Sequence, residues 1–166
     1  MLDSKRILFP LGRERVFRYF LNLDKLEQSF RLWNILALQR LHKNLQNILA
    51  ESKETTKDNT GVVLTVAINY GSRDEIVNAV KNIIKDGKKE NEITQELISK
   101  YLYTSNLPDP DFLIRTSGEK RISNYLLWQI AYSEIYVTDT YWPEFDKEQL
   151  AKAIIEFGLR QRRYGK

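Results

Sequence analysis

From Val62 onward, short β-branched apolar runs alternate with helical patterns, and this alternation narrows the fold more than any other feature of the chain. Val62-Val63-Leu64-Thr65-Val66-Ala67-Ile68, bounded by Gly61 and Asn69, reads as a buried strand. Ser72 and Glu75 then have capping-box spacing. Ile76, Val77, Val80, Ile83 and Ile84 follow at helical intervals, and Gly87 sits where a helix C-cap belongs. A second helix is expected from about Thr94 to Tyr103, with Leu97, Ile98, Tyr101 and Leu102 inward. Pro108 and Pro110 interrupt the chain before a short strand, Phe112-Leu113-Ile114. Ile122 to about Tyr132 reads as a helix and Ile135 to Thr138 as a strand. Asp146 would cap a last helix carrying Leu150, Ala153, Ile154 and Phe157. The expected class is α/β, a mostly parallel sheet flanked by helices.

The first 60 residues read differently. Phe17, Phe20, Leu21, Leu23 and Leu26 share one helical face; Leu41, Leu45, Ile48 and Leu49 form a better one, ending in the polar run Glu51 to Asn59. No strand is expected before Val62. With 166 residues the chain can build one domain with a substantial core. It has no cysteine and a single histidine, His42, which excludes disulfides, thiolate metal sites, a Cys nucleophile and Ser-His-Asp chemistry. No apolar run approaches the roughly 18 residues of a membrane span, and no secretory signal is apparent. A cytoplasmic location is expected. The net charge of +4 could favour an anionic ligand, nucleic acid or a membrane surface, but a solvated mixed-charge surface gives the same count and is the preferred reading.

Ligands of open parallel sheets bind beyond the carboxyl ends of the strands. Two turns qualify. Asn69-Tyr70-Gly71-Ser72-Arg73 contains what a tight turn needs and is read as structural. Arg115-Thr116-Ser117-Gly118-Glu119-Lys120-Arg121-Ile122-Ser123 offers two guanidinium forks, hydroxyls and glycine-exposed N–H groups, which exceeds what a turn requires. Those are the parts of a phosphate or diphosphate site. Glu134, beside the following strand, could hold Mg²⁺ against a diphosphate or pair with an arginine. Trp128, Tyr132, Tyr136, Tyr141 and Trp142 read as packing, and Arg160 to Lys166 as a solvated helix end.

The run Asp111-Phe112-Leu113-Ile114-Arg115-Thr116-Ser117-Gly118-Glu119-Lys120-Arg121-Ile122-Ser123-Asn124, continuing through Tyr125-Leu126-Leu127-Trp128-Gln129 to Glu134, closely resembles the signature of the cis-prenyltransferases. So do Thr60 through Glu75, the stretches Tyr136 to Asp139 and Tyr141 to Phe145, and the ending Arg162-Arg163-Tyr164-Gly165. Bacterial undecaprenyl diphosphate synthase is the nearest type. The resemblance runs from about Leu41 to the end. It implies a segment 1–40 that is divergent or degraded and helical, and a segment 41–166 forming the C-terminal part of a single domain, with the sheet incomplete at the N-terminus. It implies a homodimer that condenses isopentenyl diphosphate repeatedly onto an allylic diphosphate with Mg²⁺. Arg115, Arg121, Ile122 and Ser123 would grip isopentenyl diphosphate, and Glu134 would be associated with magnesium. Glu119, Asn124, Trp128, Asn69, Arg163 and Gly165 would support the site.

The departure is as informative. The family opens on a strand and an Asp-Gly-Asn-Gly-Arg-Trp-Ala loop whose Asp is the catalytic, magnesium-associated carboxylate. This sequence contains no such loop, and Gly12-Arg13-Glu14-Arg15 does not replace it. Phe30-Arg31-Leu32-Trp33 could be a remnant of a family strand. The expected function is therefore a prenyltransferase-family chain that keeps the isopentenyl diphosphate half-site and is inactive alone. The alternative is a non-catalytic subunit pairing with a full-length synthase, to which the Arg163-Tyr164-Gly165 ending is suited. A nucleic-acid-binding module is the remote alternative, without a motif to support it. Contact with membranes is expected only peripherally, through product.

Overall fold

The computed structural model describes residues 30–35, 43–60 and 62–160. In chain order these form β1 (Phe30–Ile35), α1 (Lys43–Thr55), β2 (Val62–Ala67), α2 (Ser72–Lys85), a 3₁₀ turn (Glu90–Glu92), α3 (Gln95–Tyr101), β3 (Phe112–Arg115), β4 (Glu134–Val137), a second 3₁₀ turn (Trp142–Glu144) and α4 (Lys147–Leu159). β1 and β2 pair in parallel, Phe30 opposite Val62 and Ile35 opposite Ala67. β3 and β4 do the same, Phe112 opposite Glu134 and Arg115 opposite Val137. The expected parallel α/β architecture is present, although no ladder joins the two pairs among the described residues.

β1 corrects the expectation that no strand precedes Val62. Its six residues show no clean period-2 pattern; what makes them a strand is the ladder offered by β2, a partner distant in sequence. Residues 1–29 and 36–42, which include Leu41 and the face from Phe17 to Leu26, lie outside the described residues.

α1 runs through the polar stretch that was expected to end it. Leu49, Ser52 and Thr56 are all nearly inaccessible, on one stripe. Their hydroxyls can be buried because they are satisfied within the helix: Ser52 Oγ donates to the Ile48 carbonyl at 2.8 Å and Thr56 Oγ1 to that of Ser52 at 2.9 Å.

α2 is rotated relative to its apolar pattern. Ser72, Glu75, Ala79 and Ile83 face inward, whereas Val77, Val80 and Ile84 are 50%, 44% and 70% exposed. The expected capping box is also absent: Gly71 is the N-cap and no side chain caps from within the helix. Elsewhere the end signals hold. Gly87 has φ of 69°, Thr94 Oγ1 accepts from Leu97 N at 3.1 Å, and Asp146 Oδ1 accepts from Glu148 N and Gln149 N at 3.0 Å.

The segment from Ile122 to Tyr132 is not the expected helix. Ser123, Asn124 and Leu126 have φ of 55°, 61° and 45°, and a right-handed helix cannot pass through such residues. Turns closed by Ile130 N to Leu126 O and Ser133 N to Ile130 O, both 3.0 Å, take its place. The apolar side chains still do their work: Tyr125, Leu126 and Ile130 bury with Leu113 of β3, flanked by Ala67, Tyr70 and Ile122.

Candidate functional site

Alternation along β3 and β4 gives their sheet two faces with different tasks. Phe112 and Tyr136 lie on one face, against α4; the Phe112 and Phe157 rings are 4.7 Å apart and those of Phe112 and Tyr136 6.1 Å apart. Leu113, Arg115, Ile135 and Val137 lie on the other. There Leu113, Ile135 and Val137 floor a cleft walled by Arg115, Glu119, Lys120, Arg121, Ile122 and Tyr125. The floor is apolar and the rim carries three cationic side chains, Arg115, Lys120 and Arg121.

The rim loop is tightly placed. Ser117 N donates to Thr140 O at 3.0 Å and Gly118 N to Thr138 O at 2.8 Å, so the turn after β3 is stitched to the turn after β4. Gly118 has φ of 65°, and a Cβ on it would lie 2.8 Å from Asp139 Oδ1, which explains the glycine. Arg115 rises from the end of β3 with its Nε buried and without a hydrogen-bond partner among the described residues. Arg121 is exposed and pairs with Glu119. A buried, unpartnered guanidinium nitrogen beside a second arginine is an incomplete anion site, because desolvating such a donor without an acceptor is costly.

The other βα turn is locked into this one. Asn124 accepts twice from the start of α2, its carbonyl from Ser72 N at 2.8 Å and its Oδ1 from Arg73 N at 2.9 Å. Leu127 N donates back to Ser72 Oγ at 2.9 Å. The α2 N–H groups are thus capped by a residue from the arginine loop, consistent with reading the first turn as structural.

A model of the family described as putative undecaprenyl diphosphate synthase matches residues 6–165. The chain belongs to this family. Isoprenyl transferases from Bacillus cereus and Fusobacterium nucleatum are 49% and 56% identical to it, over 86% and 74% of this chain and 57% and 52% of their own. The chain thus spans about half the length of these curated relatives. Among solved structures, lavandulyl diphosphate synthase from Lavandula x intermedia, in complex with dimethylallyl diphosphate, superposes with a TM-score of 0.82 at 29% identity, covering 92% of this chain and 69% of that one. A probable undecaprenyl diphosphate synthase from Campylobacter jejuni gives 0.78 at 34% identity, covering 91% and 72%. The match begins at residue 6, well before the Leu41 from which the motifs were legible.

Within this cis-prenyltransferase frame, the structure gathers Arg115, Glu119, Arg121 and Ile122 in one cleft. Ser123 is exposed beside it in a left-handed conformation, and Asn124 is turned toward α2. Trp128 is half-buried and donates from Nε1 to Ser99 Oγ at 3.0 Å, tying the loop's continuation to α3. Asn69 opens the turn after β2 with φ of 53°. Arg163 and Gly165 lie outside the described residues.

Glu134 is not brought to this cleft. It opens β4 opposite Phe112, on the α4 face, while Arg115 ends β3 on the cleft face. Its partner is Arg160 Nη1 at 2.9 Å, an arginine other than those of the loop. Hydrogen bonds to Glu156 and, second, to Glu134 hold the Arg160 pKa above its ordinary value. No group of three or more His, Asp or Glu side chains is placed to hold a metal ion among the described residues.

Sequence reasoning missed the floor of the cleft, Leu113, Ile135 and Val137 with Tyr125. Only part of the signal was local: alternation along β3 places Leu113 on the side of Arg115, whereas Ile135 and Val137 join them through the β3–β4 register.

Proposed function

We propose that this chain supplies the isopentenyl diphosphate half of a cis-prenyltransferase, the enzyme class that joins isopentenyl diphosphate to an allylic diphosphate to give a cis-polyprenyl diphosphate. The observation that carries this reading is the buried, unpartnered Nε of Arg115 in a cleft whose rim is cationic and whose floor is apolar. A diphosphate would satisfy the guanidinium and neutralise Lys120 and Arg121, and a short hydrocarbon would rest on Leu113, Ile135 and Val137. Arg121 would exchange Glu119 for phosphate oxygens, and Ser123 would add a hydroxyl at the edge.

Magnesium accompanies diphosphates in this chemistry, commonly held by one or two carboxylates and the phosphates themselves. The sequence also contains no Asp-Gly-Asn-Gly-Arg loop. A chain without that loop would have less with which to orient an allylic partner, and would forgo part of the positional advantage on which such condensations depend. Pairing with a second chain is in keeping with this reading: Ile155 and Leu159 of α4 are 64% and 79% exposed.

Calorimetric titration with isopentenyl diphosphate tests the proposal. The chain should bind it, and Arg115→Ala should weaken binding by roughly ten- to a hundredfold, the worth of a charge-assisted hydrogen bond. Purified chain should not elongate farnesyl diphosphate. Absence of binding overturns the half-site, and robust polyprenyl product overturns the incompleteness.

A further inference from the structure

Behind the arginine loop lies a polar network that neither the motifs nor the cleft accounts for. Glu75, in the first turn of α2, is 0% exposed, and no cationic side chain pairs with it among the described residues. Its carboxylate accepts instead from neutral donors: the Tyr70 hydroxyl, Tyr103 N at 2.8 Å, and Gln129 Nε2 at 3.3 and 3.2 Å to its two oxygens. Gln129 is 3% exposed, and its Nε2 also donates to Thr104 Oγ1 at 2.9 Å. The network therefore joins four places: the turn after β2, the start of α2, the chain after α3, and the continuation of the arginine loop.

That continuation has a particular need for such a hold. Residues 123–132 contain three left-handed non-glycine residues and no regular helix, so no ladder of local hydrogen bonds fixes their path. Asn124 and Leu127 are bonded to the start of α2 and Trp128 to Ser99, while Leu126 and Ile130 are buried by apolar contact, which is non-directional. A buried amide bonded at fixed distances to a buried carboxylate adds a further directional hold in the interior. Gln129 lies six residues beyond Ser123 and eight beyond Arg121, on the same short segment.

We propose that Gln129, seated between Glu75 and Thr104, is a positioning residue that sets the path of the arginine loop and so the presentation of Arg121 and Ser123 to an anion. The inference rests on the diphosphate reading for the identity of the anion, not for the positioning itself. Gln129 itself does not line the cleft.

The test compares wild type with Gln129→Met, which keeps the volume and removes the donor, and with Thr104→Val, which removes one acceptor at nearly constant shape. Leu49→Ala, in α1 and outside the cleft, is a destabilised control. Isopentenyl diphosphate affinity, melting temperature and hydrogen exchange of the backbone amides of 116–124 are measured for each. Gln129→Met should weaken binding at least tenfold and Thr104→Val about threefold, both with faster exchange across 116–124. Leu49→Ala should lower the melting temperature with neither effect. Unchanged exchange in Gln129→Met, or equal acceleration in Leu49→Ala, overturns the positioning role. If wild type does not bind while Gln129→Met still accelerates exchange, the positioning stands and the diphosphate reading falls. Should Gln129→Met fail to fold, Thr104→Val decides by the same criteria.

Discussion

At the level of single residues, several identities follow from close approach or burial rather than from local pattern. Gly71 has an extended backbone, so its freedom of φ is not the point. A Cβ there would meet Asn124 Nδ2 at 2.8 Å, and Asn124 is held by its bonds to Ser72 N and Arg73 N. Gly71→Ala should therefore cost about 1–3 kcal/mol, the usual price of overpacking. Most of that cost should vanish in an Asn124→Ala background. Urea unfolding of the four-member cycle measures it, and additive effects would contradict the contact. Tyr125 and Tyr70 make a second case. Burial raises the pKa of both phenols, and at Tyr70 the bond to Glu75 raises it further. The unfolded chain loses these protons near pH 10 while the folded chain keeps them, so above pH 10 the folded state binds more protons and stability falls as pH rises. The slope should reach at most about 1.4 kcal/mol per pH unit for Tyr125 and less for half-buried Tyr70. Tyr125→Phe should flatten the alkaline limb of a stability–pH profile, while a profile unchanged in both Tyr→Phe variants would contradict the burial.

At the level of elements, what was legible depended on whether the deciding interactions were local. The caps at Thr94 and Asp146 and the stop at Gly87 were readable because a cap is made within a few residues. The helical periodicity of α2 was also readable, but its orientation was not. Ile76, Val77, Val80, Ile83 and Ile84 suggested one inward stripe. The structure turns Glu75 and Ala79 inward because Tyr70, Tyr103 and Gln129 offer donors to Glu75, two of them from segments far along the chain. Likewise the apolar run after Ser123 looked helical, and left-handed residues at 123, 124 and 126 break it. The rotation of α2 is directly testable. Ala79 is 0% exposed and Val80 44% exposed. Ala79→Leu should destabilise by about 1–3 kcal/mol, whereas Val80→Ser should change stability by no more than about 0.5 kcal/mol. The reverse ranking in thermal melts would restore the apolar stripe as the inward face.

For the molecule as a whole, the parallel α/β class and the arginine loop were legible, and β1 and the cleft floor were not. The loop is a contiguous motif whose chemistry can be named from its residues. β1 and the floor exist only through pairing, of β1 with β2 and of β3 with β4, and pairing partners are not written locally. The same distinction bears on assembly. Ala153 and Phe157 of α4 are buried, Phe157 against Phe112 of β3, which leaves Ile154, Ile155 and Leu159 at 40%, 64% and 79% exposure on its remaining surface. Three large aliphatic residues on one short helix suit contact with a second chain better than contact with water. The expected outcome is concentration-dependent association of the purified chain in light scattering. Ile155→Lys with Leu159→Lys should abolish it, since a lysine in an apolar interface must be desolvated without a partner. Both residues lie on the far side of the β3–β4 sheet from Arg115, so affinity for isopentenyl diphosphate should stay within about twofold of wild type. A monodisperse monomer at all concentrations would show that this face is not an interface, and a parallel loss of diphosphate binding would show that assembly shapes the cleft.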